Sequence, residues 1–213
     1  MSEFQYSESD LDAVYRVIYE RRDMRHFVPS PVDQNVLRKL LNAAHKAPSV
    51  GLMQPWRFIR ITDEALRKIL YLCVQEEAKK TADALGERKQ EFLRLKIEGI
   101  LHCGELIVVA LPPGRDKHIF GRRTLPEMDL ASAACAIQNM WLAARAEGLG
   151  MGWVSIFDPA ELSKLLSMPP GSHPIAILCL GHVKEFYSEP MLVTENWAEE
   201  KSLDEMLHEN SWE

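Results

Sequence analysis

Hydrophobic residues recur at helical spacing in two N-terminal stretches of the 213-residue chain. Val14, Val17 and Ile18 share one face of a helix expected from about Asp10 to Arg22, and Leu37, Leu40, Leu41 and Ala44 mark a second from about Gln34 to Lys46. Phe58-Ile59-Arg60-Ile61-Thr62 alternates and predicts a strand, after which Asp63 caps a helix carrying Leu66, Ile69 and Leu70. The apolar runs from Glu105 to Leu111 and from Pro174 to Leu180 predict buried strands. Thr124-Leu125-Pro126-Glu127 has capping-box spacing, so a helix is expected from there to about Glu147, and its sequence is apolar nearly all round. Gly148-Leu149-Gly150-Met151-Gly152 is expected to turn into a strand from Trp153 to Phe157, and Asp158-Pro159 to cap a short helix through Leu166.

Two stretches break this regularity. From 75 to 99 the chain turns strongly polar, with only a narrow stripe of Phe92, Leu93, Leu95 and Ile97; it reads either as a solvated helical excursion or as a mobile cover over a pocket. From 185 to 213 the tail is polar apart from isolated Met191, Leu192 and Trp197, so it needs another surface to lie on. The all-apolar helix also needs more cover than one small domain supplies, and both features predict subunit contact. There is no internal repeat or linker, and residues 1–213 read as one domain.

A hydrophobic fraction of 46% and a charged fraction of 26% are those of a soluble globular protein. The net charge of −6 argues against a nucleic-acid surface. Cys73, Cys103, Cys135 and Cys179 lack metal-ligand or redox spacing and read as buried thiols in a reducing compartment; the histidines form no metal set. Met1-Ser2-Glu3-Phe4-Gln5 has no leader character, and no apolar run reaches membrane-spanning length. A cytoplasmic protein with no bound metal, no membrane and no nucleic acid is therefore expected.

Against the acidic background, Arg21-Arg22-Asp23-Met24-Arg25 is a local basic cluster that can grip a phosphate and a planar polar ring together. Ala47-Pro48-Ser49-Val50-Gly51-Leu52-Met53-Gln54-Pro55-Trp56 forms a stiffened break, in which Ser49 and Gln54 are suited to reading ring edges. Asp23 reads either as a surface carboxylate neutralising its neighbours or as an acid/base near a bound ring, and Ser155 either as a strand hydroxyl satisfied by backbone or as a site residue. Gly148, Gly150 and Gly152 follow a helix and precede a strand, the reverse of a dinucleotide fingerprint.

Together Arg-Arg-Asp-Met-Arg, Ala-Pro-Ser-x-x-x-x-Gln-Pro-Trp and Leu-Ala-Ala-x-x-x-Gly-x-Gly-x-Gly-Trp resemble the flavin-binding pattern of the nitroreductase superfamily, in order from about Val14 to His182. The resemblance implies an α+β fold, a mixed but mostly antiparallel central sheet flanked by helices, in an intertwined homodimer with FMN at each subunit interface. It also implies flavin contacts from Arg21, Arg22, Asp23, Met24 and Arg25, from Pro48, Ser49 and Gln54, and from Val154 and Ser155. Aspartate at 23, where general nitroreductases tend to have serine, the stretch 47–56, and Gly152-Trp153-Val154-Ser155-Ile156-Phe157 resemble a branch that consumes its flavin. Pro126-Glu127-Met128-Asp129-Leu130 is similar too.

That branch implies oxygen-dependent fragmentation of reduced FMN to 5,6-dimethylbenzimidazole, the lower ligand of cobalamin, and erythrose 4-phosphate. Asp23 and Ser155 would be catalytic, 75–99 would be the lid, the tail would pack on the partner subunit, and a separate flavin reductase would supply reduced FMN. The alternatives are an NAD(P)H-dependent nitroreductase or quinone reductase that keeps its FMN, and a flavin-sequestering protein without turnover.

Overall fold

The computed structural model describes residues 4–212; the leader-free reading of the N-terminus rests partly on residues 1–3, which lie outside them. In chain order the elements are α1 (Glu8–Glu20), α2 (Gln34–His45), β1 (Arg57–Arg60), α3 (Glu64–Ala84), α4 (Lys89–Phe92), β2 (Glu105–Leu111), α5 (Met128–Ala146), β3 (Gly150–Val154), α6 (Pro159–Leu165), β4 (His173–Gly181) and α7 (Met191–Thr194). The strands form one sheet in the order β1-β2-β4-β3, every neighbouring pair antiparallel. A single parallel bridge, Asp23 to Met151, makes it mixed. The α+β arrangement expected from the sequence is present.

Both faces of the sheet are covered, which is why β2 is apolar throughout. Ile107, Val109 and Leu111 pack with α2 and α5, while Leu106 and Val108 pack with Leu70 and Val74 of α3 and Leu162 of α6. Strand side chains alternate between faces, so one continuous apolar run serves both layers. The one buried carboxylate of the described sheet strands is paired. Glu105 of β2 takes both Nε and Nη2 of Arg60, each at 2.6 Å.

Asp63 and Asp158 cap α3 and α6 as expected, each accepting two backbone N–H groups. Elsewhere the boundaries moved. α1 is capped by Ser7 and ends at Glu20, two residues short of Arg22, because the chain must straighten to reach β3. α3 runs on to Ala84, since Leu70, Val74, Ala78 and Ala82 keep burying one face through the polar stretch. Beyond it the excursion holds only a 3-10 turn at Gly86–Arg88 and the single α-helical turn Lys89–Phe92, and Leu93 of the expected stripe is exposed.

The capping box at Thr124 does not form, because α5 begins at Met128 without a side-chain cap on its N-cap residue. Arg122 Nε takes the carbonyl of Pro126 instead, and Asp129 accepts the N–H of Leu130. At the other end Gly148 is left-handed (φ +74°) and its N–H meets Arg145 O, while Leu149 N–H meets Ala144 O at 2.8 Å. This is a Schellman ending. β3 consequently starts at Gly150, not Trp153, and two of the three glycines are strand residues.

Of the four cysteines only Cys103 and Cys179 are buried. Cys135 is exposed on α5 and Cys73 is half-buried, so the reading of all four as buried thiols is corrected. α1 buries none of its residues.

Candidate functional site

Residues 21–25 form an extended arm beside β3. Met24 N–H donates to Met151 O at 2.9 Å, and the fully buried Met24 side chain anchors the arm. The two strand glycines make this approach possible. A Cβ on Gly152 would lie 2.3 Å from Met24 O, and one on Gly150 3.0 Å from Met24 Cγ. Bare backbone at these positions lets the arm lie against the strand.

The arm borders a cavity of about 520 Å³, lined on this side by Arg21, Arg22, Asp23, Arg25, Val154 and Ser155. Asp23 Oδ1 accepts the N–H of Trp153 at 3.0 Å, and Oδ2 pairs with Arg25 Nη2. Its side chain is 41% exposed and lines the cavity, and partial burial raises its pKa above the ordinary aspartate value. The Arg25 charge, the Trp153 N–H and the Arg21 charge oppose that rise without cancelling it.

The three guanidiniums are placed differently. Arg21 lies 4.8 Å from the Trp141 ring centroid, and burial lowers its pKa, with the Arg22 charge adding to the fall. Arg22 spends its Nη atoms on the carbonyls of Tyr19, Arg21 and Ser188, at 2.7 to 2.9 Å. Arg25 Nη2 also donates to Trp153 O at 2.9 Å. Arg22 Nε and Arg25 Nη1 remain buried without any partner. Buried donors without acceptors are costly, and an anionic or carbonyl-rich ligand would satisfy them. The residues present therefore fit a phosphorylated ring compound such as FMN.

The far wall comes from elsewhere in the chain: Phe92, Leu95, Lys96 and Ile97 from the polar excursion, and Leu192 and Trp197 from the tail. Lys96 pairs with buried Glu98 at 3.1 Å. Neither Lys96 nor Trp197 was among the residues expected from sequence. An isolated tryptophan in a polar tail was the available signal for the second, and nothing local marks the first.

Pro48, Ser49 and Gln54 are not in this lining, and Met24 lies beneath it. The loop carrying Ser49 and Gln54 is nevertheless rigidly built. Gly51, Leu52 and Gln54 all have positive φ (52°, 52° and 46°), and Ser49 Oγ accepts the N–H of Gln54 at 3.1 Å. Left-handed backbone is rare outside glycine and persists where surroundings enforce it. Here Ser132 of α5 contributes by accepting Val50 N–H at 3.0 Å. Gln54 borders a separate cavity of about 410 Å³ with His45 and Trp56.

Among the described residues no group of three or more His, Cys, Asp or Glu could hold a metal, and no helix is long and apolar enough to cross a membrane.

The Nitroreductase family model matches residues 18–182. The chain is 38% identical over 192 residues to the 5,6-dimethylbenzimidazole synthase of Rhodospirillum rubrum, covering 88% of each chain. A BluB-like flavoprotein from Clostridium difficile superposes with a TM-score of 0.73 at 18% identity, over 93% of this chain and 99% of the other. An iodotyrosine deiodinase solved with FMN and 3-iodo-L-tyrosine has a TM-score of 0.69 at 23% identity, over 83% and 92% of the two chains. These last two are likenesses of fold.

Proposed function

The chain is an enzyme of the nitroreductase family, and from that premise we propose that it is a 5,6-dimethylbenzimidazole synthase, taking reduced FMN and oxygen to the benzimidazole and erythrose 4-phosphate. The observation that carries this reading is Asp23. It is a carboxylate of raised pKa, open to a cavity whose adjoining arginines have buried donors to spare. A carboxylate shifted toward neutrality can both take and return protons, which cutting a carbon–carbon bond of the ribityl chain and carbon–nitrogen bonds of the flavin ring demands.

In this reading Arg21, Arg22 and Arg25 hold the phosphate and pyrimidine side of FMN. Arg22 Nε and Arg25 Nη1 gain their missing acceptors, and Arg25 keeps Asp23 oriented through the existing ion pair. Ser155, exposed just past the end of β3, orients reacting atoms rather than moving a proton itself. Reduced flavin supplies the oxygen-reactive ring. The protein's task is to bind it, exclude bulk water and manage protons. A separate reductase delivers the reduced flavin.

The complete site is proposed to need a second copy. Pro48, Ser49 and Gln54 stand on a prebuilt loop outside this chain's cavity, so they would reach the partner's flavin. The surface around that loop is apolar: Leu52 is 79% exposed, Phe120 83% and Leu125 57%. With the exposed Leu130 and Cys135 of α5 this is surface that a homodimer would cover. The exposed tail beyond Trp197 is proposed to lie on the partner. Closure of the lid falls to residues 85–99, because 75–84 are fixed within α3.

The test is product chromatography after mixing the protein with chemically reduced FMN and air. Benzimidazole and erythrose 4-phosphate are expected in equal amounts. Re-oxidised FMN as the sole product, together with rapid reduction of bound FMN by NAD(P)H, would replace this reading with an ordinary flavin reductase.

A further inference from the structure

Two segments far apart in sequence make the far wall of the cavity, and they are joined to each other where both pack on α3. Phe92 is buried in a small apolar cluster with Ala78 and Ala82, separate from the two clusters that flank the sheet. Trp197 of the tail packs on that cluster, its ring 6.0 Å from that of Phe92 and tilted by 58°. Arg88 then locks the contact from outside. Its guanidinium stands 3.6 Å from the Trp197 ring centroid, Nη2 donates to Trp197 O at 2.8 Å, and Glu91 holds Nε and Nη2 at 2.8 Å each.

The same tail is tied at its start to the binding arm. The Tyr187 hydroxyl accepts the N–H of Arg25 at 3.2 Å and is 2.7 Å from His26 Nδ1, while Ser188 O accepts from Arg22. Residues 187–197 thus form a strap from the anion-binding arginines to the excursion, lining the cavity through Pro190, Met191, Leu192 and Trp197.

We infer that Trp197 is a flavin-contacting wall of the site and that Arg88 is its positioning residue, so that the cover over the flavin has two halves clasped together by this pair. The inference rests on the proposal that flavin occupies this cavity. Arg88 itself is not part of the cavity lining, and its side chain is 47% exposed. It therefore acts only through Trp197. Each half lacks a large core of its own, so neither is held closed without the other; a cation–π contact and one hydrogen bond at a half-exposed site are enough to change an opening equilibrium by about 5- to 10-fold.

The decisive variants are Arg88→Gln, which removes the planar cation, and Arg88→Lys, which keeps charge without the fork or the flat stacking surface. In the protein without flavin, hydrogen exchange over residues 190–200 should speed up in Arg88→Gln and less so in Arg88→Lys. With oxidised FMN bound, its release measured by stopped-flow fluorescence should be about 5- to 10-fold faster in Arg88→Gln. With reduced FMN and air, more of the flavin should return as FMN and hydrogen peroxide and less as benzimidazole. Trp197→Phe, which keeps an aromatic wall, should fall between wild type and Trp197→Ala in all three.

Unchanged exchange over 190–200 in Arg88→Gln would overturn the clasp whatever binds in the cavity. Faster exchange with wild-type FMN release and wild-type product partition would overturn the role of Trp197 as a flavin wall. Wild-type protein that binds no FMN would overturn both that role and the functional reading, and would leave the exchange result to decide the clasp alone.

Discussion

Two regions of this molecule gather arginines around an aspartate, and they use them in opposite ways. At the start of α5, Asp129 is buried and its Oδ2 receives Arg115 Nε at 2.8 Å and Arg122 Nη2 at 2.9 Å. Other donors of the two arginines go to carbonyls of Pro112, Arg115, His118, Pro126 and Gly171. No buried side-chain donor of this cluster lacks a partner. Around Asp23 the aspartate opens on a cavity, one arginine pairs with it directly, and Arg22 Nε and Arg25 Nη1 have no acceptor. The difference teaches how to tell a charge cluster that holds a fold from one that waits for a ligand. Saturation marks the first and unspent donors mark the second.

The largest effect should come from breaking the saturated cluster. Asp129→Asn leaves one buried and one half-buried guanidinium short of a charge partner and should lower stability by about 3 kcal/mol or more, measured by urea unfolding. Stability equal to wild type would remove the distinction between the clusters. Next, Asp23→Asn should fold and bind FMN but form benzimidazole about 100-fold more slowly or worse, read by chromatography with saturating reduced FMN. A wild-type rate would make Asp23 only a charge partner of its arginines.

A pH series sharpens the same contrast. Because the folded pKa of Asp23 is raised, its contribution to stability is present below the unfolded value and fades as pH rises through the folded value. The stability of wild type relative to Asp23→Asn should therefore fall over that window. Its acid limb in product formation should lie above that of an ordinary aspartate. Arg22→Gln should weaken FMN binding by about 10-fold by equilibrium titration, the scale of one charge-assisted contact. Ser155→Ala should have the mildest effect, a few-fold loss of product, since a water can replace an orienting hydroxyl.

Much of this was legible in the chain, for reasons that differ by element. β2 and β4 declared themselves because both their faces are buried, and the caps at Asp63 and Asp158 because a local side chain does the capping. The arginine arm was visible as a cluster, but α1 ended before it because Met24 pairs with Met151, a partner more than a hundred residues away. The start of α5 was misread for the same kind of reason: Arg122, not Thr124, decides it. Gly150 and Gly152 looked like a turn, and the close approach of Met24, with Val183 at Gly150, explains them as strand residues. Lys96 and Trp197 were missed because the cavity wall is assembled from segments with no shared local pattern.

The arm beside β3 has one more consequence. β3 lies at the end of the sheet, with β4 on one side only, and its other edge is met by Asp23 and Met24. An uncovered strand edge is a template on which other chains can add themselves. The segment that would grip the flavin therefore also keeps the sheet from growing beyond its own molecule. Any substitution at Gly152 that lifts the arm should show itself first as turbidity in a warmed solution, before a loss of turnover is noticed.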